Sequence, residues 1–483
     1  MTTGRKPNVL WICTDQQRWD TLGCYGNEFV STPNLDRLAA QGVKFERAYC
    51  QSPVCTPSRA SFLTGRYPRT TRCRQNGQYI PADEKLVSRL FADAGYACGL
   101  SGKLHLSPCN AAVAPVIEQR IDDGYAEFHW SHHPDHDWPA NEYGEWLRNQ
   151  GTRYSRAAFR GSNYVEAGMP AHQHQTYWCA EKAIDFIESC ADFQMPWLFS
   201  VNIFDPHHPF DPPPELLETY LDRLDAVPLP NYLPGELDDK PAYQQIDHRG
   251  AYGGNAGFPY DEMSADDHRL VRAAYWAMCD LIDQQVGRML DALERTGQLD
   301  NTIVIFMSDH GEMLGDHGIY LKGPYFYEPA IRVPLIVSWP GAIPGGRSVP
   351  EMVELLDLAP TLLEAAGLDP YPGIQGRSLW PFLSEAHGTL PKRHDVYSEY
   401  YNAMPWHRDP TAQATMLRTD RHKLVAVHSL DTGELYDLDE DPDETRNLWD
   451  DPSHQAIKGQ LLGRLADRMA WTVDPLGERV APY

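Results

Sequence analysis

The sequence predicts an α/β fold, a mostly parallel central sheet flanked by helices, with a smaller C-terminal α+β domain. Three observations carry that reading. Strand-like apolar runs that end in polar residues recur along the chain: "NVLWIC" before Asp15, "WLFSVNIF" before Asp205 and "TIVIFMS" before Asp309. Helix-like stretches lie between them, the clearest being "DDHRLVRAAYWAMCDLIDQQVGRMLDALERTG", which has apolar residues at helical spacing, acidic residues at its start and Gly297 after its end. After "GRSLWPFL" the pattern changes to short runs joined by turns. Strands alternating with helices make βαβ units, and in such sheets ligands gather beyond the carboxyl ends of the strands, where Asp15, Asp205 and Asp309 emerge.

Length and composition set the frame for these elements. A chain of 483 residues has room for a large core and an appendage, so residues 1–388 are expected to form the catalytic domain and 389–483 a second one. In the second domain "HDVYSEYY", "ATMLRTDRHKLVAVHS" and "GELYDLDEDPDETRNLWDD" read as antiparallel strands and turns, and "HQAIKGQLLGRLADRMAW" as a helix. Two stretches break the rhythm: 107–174, rich in His, Trp and Asp, and 205–262, rich in Pro and Gly. Such excursions shape pockets, and Trp130, His132, His133 and Trp138 either line one or pack the loop that carries them.

No run approaches the ~20 apolar residues of a membrane helix, and the strand-like N-terminus is cut too early by Thr14 and Asp15 to be a signal peptide. A cytoplasmic protein is expected. The formal charge of −25 argues against nucleic-acid and anionic-membrane partners, and an anionic small substrate would need a locally cationic pocket. Ten scattered cysteines, without close pairs, read as unpaired buried thiols.

A single aspartate past a strand is ordinarily a turn former or helix cap. Two strand ends bearing Asp15-Gln16 and Asp309-His310 together offer mainly oxygen ligands with one imidazole, which suits one divalent cation: calcium first, then manganese or magnesium. Cys55 taken alone is one more buried thiol. Its setting is "CTPSRASFLTGRYP".

That stretch resembles the sulfatase signature, in which the cysteine is oxidised after translation to formylglycine (3-oxoalanine). "NVLWICTDQQRWDTLGCYG", "GYACGLSGKLHL", "SDHGEMLGDHGIYLKGPYFYEPAIRVPLIV" and the C-terminal "LRTDRHKLV" and "ELYDLDEDPDETRNL" are similar to further family segments, so the resemblance spans nearly the whole chain. It implies an alkaline phosphatase-like fold, hydrolysis of a small anionic sulfate ester, a sulfatase-maturating enzyme (formylglycine-generating or another) as partner, and room for a homo-oligomer.

Hydrated formylglycine is a geminal diol. One hydroxyl, activated by the metal, is the nucleophile, and the other collapses the sulfated intermediate to regenerate the aldehyde without attack of water on sulfur. The resemblance puts Asp15, Gln16, Cys55, Asp309 and His310 on the metal, and Arg59 beside the diol. It implies Lys103 and Lys322 on the sulfate, His105 at the diol, His207 as leaving-group acid with His208 the lesser choice, and Asn76 at the substrate. Asp15-Gln16 and Asp309-His310 depart from the Asp-Asp and Asp-Asn of many sulfatases and look closer to choline sulfatases and phosphonate monoester hydrolases. The latter resemble one another in having Tyr and Thr where this chain has Lys103 and His105, which favours a sulfate ester over a phosphonate monoester or phosphodiester.

Overall fold

The computed structural model describes residues 6–475 apart from 136, 137, 194, 385–391 and 429. Its strands are β1 (Asn8–Thr14), β2 (Val43–Tyr49), β3 (Ala97–Gly102), β4 (Glu127–Trp130), β5 (Ala157–Ala158), β6 (Glu166–Ala167), β7 (Trp197–Asn202), β8 (Thr302–Ser308), β9 (Arg332–Val333), β10 (Leu335–Ser338), β11 (Arg347–Glu354), β12 (Asp395–Tyr401), β13 (Gln413–Thr419), β14 (His422–Val427) and β15 (Thr432–Asp437). The large sheet has the order β11-β2-β10-β8-β1-β7-β3-β4, with β9 beside β2. Its centre, β8-β1-β7-β3-β4, is parallel throughout, β10 runs antiparallel to both neighbours, and β11 pairs parallel with β2.

Strand β1 shows why the middle of the sheet reads as an unbroken apolar run. All seven of its residues are buried, as expected where helices cover both faces. Val9, Trp11 and Cys13 enter the core on one face, Leu10 and Ile12 the core on the other, following the two-residue period of a strand. Truncating Ile12 to alanine would cost roughly 2–5 kcal/mol. The long helix Ala265–Arg295 starts at a reciprocal Ser264/Asp267 capping box and lays Ile282, Val286, Met289 and Leu293 on the Leu10/Ile12 face.

The second sheet, β12-β13-β14-β15, is antiparallel. One face packs Leu417, Leu424 and Leu435 against Leu461 and Leu465 of the helix Gln455–Trp471. The other face, with Met416, Val425 and Tyr436, joins the main core. The expected boundary at 388/389 lies outside the described residues. Beyond Asp437 the acidic stretch forms turns rather than a further strand. The two excursions carry only short elements, such as Glu142–Asn149, Pro214–Leu221 and Ala242–His248. All ten cysteines are unpaired, seven of them buried. No described helix is long and apolar enough to cross a membrane.

Candidate active site

Four adjacent strands deliver the site. Asp15 follows β1, Asp309 follows β8, Lys103 and His105 follow β3, and the loop with His207 follows β7, so all leave the carboxyl edge of the sheet side by side. Tight backbone makes this possible. Gly102 ends β3 at φ +96°, and a Cβ there would stand 2.0 Å from the Asn202 carbonyl, so only glycine lets Lys103 turn inward. Gln16, His105 and Leu321 hold left-handed backbone at φ 67°, 58° and 66°, each at a cost of ~1–3 kcal/mol that the surrounding packing must offset.

Cys55 opens the helix Cys55–Thr64, every residue of which is buried. Pro57 sits in the first turn, where a missing N–H costs little, and Gly65 closes the helix in a left-handed cap. One turn on, Arg59 lies on the same face as Cys55. Its Nε donates to Asp309 Oδ2 at 2.9 Å, one terminal nitrogen to the Lys103 carbonyl at 2.9 Å and the other to Asp15 Oδ2 at 3.3 Å. Ser58 Oγ donates to the Asp309 carbonyl at 2.5 Å, tying the helix to the end of β8.

Around the thiol the charges are dense. Cys55 Sγ lies 3.2 Å from Lys322 Nζ, 3.7 Å from Lys103 Nζ, 3.2 Å from His310 Nε2 and 3.5 Å from Asp15 Oδ1. Burial and Asp15 work to raise the thiol pKa, but Lys103, Lys322 and His310 outweigh them and leave it below the ordinary cysteine value. Lys103 Nζ also donates to Asp15 Oδ2 at 2.6 Å. Against the raising effect of burial, Lys103 foremost holds the Asp15 carboxyl well below the usual carboxylate range.

The residues fit a cation. One ligand atom each of Asp15, Cys55, Asp309 and His310, all buried, lies within 4.8 Å of the others. His310 Nδ1 is 2.9 Å from the Gly311 carbonyl, which only accepts, so Nδ1 carries a proton and Nε2 is the ring atom that faces Asp15 Oδ1 and Asp309 Oδ1, each 3.7 Å away. Two carboxylates, a thiol and an imidazole gathered in one buried space suit a positive ion. Gln16 is differently engaged. Its side-chain oxygen accepts from Lys322 Nζ at 2.7 Å and its amide nitrogen donates to Glu312, which leaves the oxygen's second lone pair for a cation.

The remaining expected residues divide. His207 Nε2 accepts from Lys322 Nζ at 2.7 Å while Nδ1 donates to the His208 carbonyl at 2.5 Å; burial first and Lys322 second keep its pKa well below the ordinary histidine value. His208 stacks on the His207 ring at 4.1 Å and forms part of the wall of a cavity of about 410 Å³ with His133, Arg156, Tyr164 and Glu166. His105 makes no hydrogen bond to Cys55; its backbone N–H donates to Glu118. Asn76 Oδ1 accepts the Thr56 N–H at 3.0 Å and so holds the first turn of the Cys55 helix. Asp205 reaches the same edge but turns away, accepting from Thr176 Oγ1 and standing 3.2 Å from His174 Nδ1. Of the aromatic residues in the first excursion, His133 reaches the cavity, whereas Trp130 is fully buried and donates to Glu118 at 3.0 Å.

Sequence reasoning missed the supports. Glu312 accepts from Gln16 Nε2, from Leu314 N at 2.8 Å and from Leu321 N at 2.6 Å, bracketing the turn that carries Lys322. Tyr275, on the long helix, donates to the Gln16 carbonyl at 2.5 Å and accepts from Arg18 N at 2.9 Å, fixing the strained Gln16. No local pattern marks either residue.

A parallel sheet whose strand ends converge on a helix-borne cysteine, buried carboxylates and three cations defines a hydrolase of the alkaline phosphatase superfamily type. The sulfatase family model matches residues 7–368, and a second, for the C-terminal part of N-sulphoglucosamine sulphohydrolase, matches 315–470. The chain belongs to the sulfatase family and is a sulfuric ester hydrolase. It is 31% identical to the uncharacterized sulfatase YidJ of Escherichia coli (strain K12), over 98% of this chain and 88% of that one. It is 30% identical to the choline-sulfatase of Rhizobium meliloti (strain 1021), over 94% and 84%. Among solved structures, the phosphonate monoester hydrolase SpPMH of Silicibacter pomeroyi superposes with a TM-score of 0.83 at 27% identity, covering 97% of this chain and 96% of that one.

Proposed function

We propose that the protein hydrolyses alkyl or aryl sulfate monoesters through formylglycine at position 55. The observation that carries this is the placement of Cys55 Sγ between Lys103, Lys322 and His310 at the buried end of a helix N-terminus. A sulfate monoester carries one negative charge spread over three oxygens. Lys103, Lys322 and the positive end of the helix answer that charge where it develops, in a site with little water.

Asp15, Gln16, Asp309, His310 and position 55 would hold the divalent ion; calcium suits the oxygen-rich set best, manganese or magnesium next. Bound there, the ion polarises the reacting oxygens and makes a hydroxyl at position 55 acidic. Arg59, clamped to both aspartates, keeps their Oδ1 atoms aimed inward. His207, beside Lys322 Nζ, is the candidate to protonate the departing oxygen. The cavity beyond His208 would take the alcohol, and its Arg156, Glu166 and Tyr164 suit a polar one.

Phosphonate monoester or phosphodiester hydrolysis is the second reading, favoured by the structural likeness to SpPMH. Comparing kcat/KM for paired aryl sulfate and aryl phosphonate esters decides between them. A preference for sulfate of at least about 10²-fold supports the first reading, and a preference for phosphonate reverses it. Peptide mass spectrometry of active enzyme should find an aldehyde in place of the Cys55 thiol; full activity with unmodified cysteine would end the mechanism.

A further inference from the structure

A bulky residue rarely takes left-handed backbone, yet Tyr252, in the second excursion, holds φ +58° within the loop 250–258. The loop is closed by Ala251 N donating to the Gly257 carbonyl at 2.7 Å and Ala256 N to the Ala251 carbonyl at 3.0 Å. Gly253 N donates to Asp247 Oδ1 at 2.7 Å, and the other oxygen of that carboxylate stands 2.7 Å from His407 Nε2, so one buried side chain holds this loop to the one between β12 and β13. From the latter, Trp406 lies flat on the Tyr252 ring, 4.7 Å between centroids at 4°. On another side the ring meets His208 edge to face at 5.6 Å. The ring is thus held, while its polar atom is left over. Tyr252 is 5% exposed, and its hydroxyl is buried without a hydrogen-bond partner among the described residues, as is His208 Nδ1 beside it. Burial foremost, then the charges of Glu312, Cys55 and Asp15, push the hydroxyl pKa well above the ordinary tyrosine value, so it stays a neutral donor in the field of the site.

We infer that Tyr252 is a specificity-determining residue, whose hydroxyl donates to an oxygen carried on the carbon next to the ester carbon of the substrate alcohol. This rests on the reading of the site as one that holds a sulfate monoester. The three non-bridging oxygens of such an ester already face Lys103, Lys322 and the ion, so a further donor is left for the alcohol. The loop that carries Tyr252 lines the alcohol cavity through Ala256 and Phe258, and His208 stands in the same wall. A hydroxyl or ether oxygen placed there pairs the buried hydroxyl. An alkyl group there leaves it stranded, and that difference discriminates between esters of the same shape.

Sulfate esters matched in shape test this: 2-hydroxyethyl against propyl sulfate, and 2-methoxyphenyl against 2-ethylphenyl sulfate. Wild-type enzyme should favour the oxygen-bearing member in kcat/KM by at least about 10-fold, in whichever pair it turns over. Tyr252→Phe keeps the ring with its Trp406 and His208 contacts. It should abolish the preference by slowing only the oxygen-bearing ester, leave the inhibition constant of inorganic sulfate unchanged, and not lower the melting temperature. Equal kcat/KM for the two esters in wild type, or a preference that survives in Tyr252→Phe, would overturn the assignment. A lowered melting temperature would give the hydroxyl to the fold, and an equal loss on both esters with weaker sulfate inhibition would give it to the sulfate; either result overturns it as well. Each preference is a ratio within one enzyme, so its failure leaves the reading of Cys55 untouched, whereas failure of that reading shows separately, as an unmodified thiol in active protein.

Discussion

Two buried ion networks flank Gln16, and they are built to opposite ends. On one side Asp316 is shared by Arg18 at 2.7 Å and Arg272 at 2.9 Å, with the Asn231 N–H on the same carboxylate at 2.8 Å. Against the cost of burial, Arg18 and Arg272 pull the Asp316 carboxyl down to about 2. On the other side, Arg59 and Lys103 fill the Oδ2 atoms of Asp309 and Asp15, while Asp15 Oδ1 receives only a thiol at 3.5 Å and stands 3.7 Å from His310 Nε2. The first network saturates its charge within the chain and supplies stability. The second leaves charge over, and the surplus is where an ion and a substrate can act.

The comparison breaks first, and most visibly, at Asp309. Asp309→Ala should remove the metal, measured by elemental analysis, and lower kcat/KM by about 10³-fold or more, since the ion's share of transition-state stabilisation is several kcal/mol. Two metals per chain bound at the Asp15 cluster would instead mark a dinuclear, phosphatase-like centre. Next comes His207→Ala, expected to lose ~10²–10⁴-fold on alkyl sulfates and far less on 4-nitrophenyl sulfate, whereas Lys322→Ala, which removes charge from the sulfate, should lower both alike. The slope of log kcat/KM against leaving-group pKa, taken with sulfuryl transfer rate-limiting, should steepen in His207→Ala. A line parallel to wild type would remove His207 from the acid role, and His208→Ala run beside it shows whether the neighbour holds it.

Asp316→Asn should do the reverse, costing roughly 3–5 kcal/mol of stability by leaving two guanidiniums unpaired, with kcat per folded molecule nearly unchanged. Its pH signature has a definite sign. A carboxyl held near 2 when folded and near 4 when unfolded contributes fully above about pH 4, and that contribution disappears as pH falls toward 2. The wild-type advantage over the variant, measured by denaturant titration, should therefore shrink in that window.

The smallest effect has the opposite sign. Asp280, on the long helix, accepts from Tyr220 Oη at 2.6 Å and Ser31 N at 2.7 Å, yet burial pushes its carboxyl up to about 7. Between about pH 4 and 7 the unfolded chain gives up this proton first, so the folded state loses stability as pH rises. Asn at 280 keeps one acceptor for Ser31 and a donor for Tyr220, and should gain on the order of 1–2 kcal/mol at pH 8 but nothing near pH 4. A loss at pH 8 would show that Asp280 is ionised and well paired.

The same contrast explains how much could be read from the chain. Strands β1, β7 and β8 were legible because buried parallel strands are unbroken apolar runs, and Asp15 and Asp309 were legible as the residues that end them. Asp205 has the same local pattern, but its carboxylate serves the helix start at His174 and Thr176, a choice made by tertiary contacts. Glu312 and Tyr275 escaped notice for that reason: their shared partner Gln16 lies 296 and 259 residues away in sequence. Asn76 was noticed, and the structure shows it holding the Cys55 helix through Thr56 N.

The burial of the Cys55 helix orders events in the life of the polypeptide. Cys55 is 1% exposed, Thr56 and Ala60 not at all, and Ser58 and Arg59 are bonded to the ends of β8 and β3. An enzyme that oxidises this thiol must reach it, and the finished fold buries it. Under the proposed reading, oxidation at position 55 would therefore belong to the nascent or unfolded chain and compete with folding in time. Slowing the ribosome or delaying collapse should raise the fraction converted, whereas incubating the native protein with the maturating enzyme should leave it unchanged.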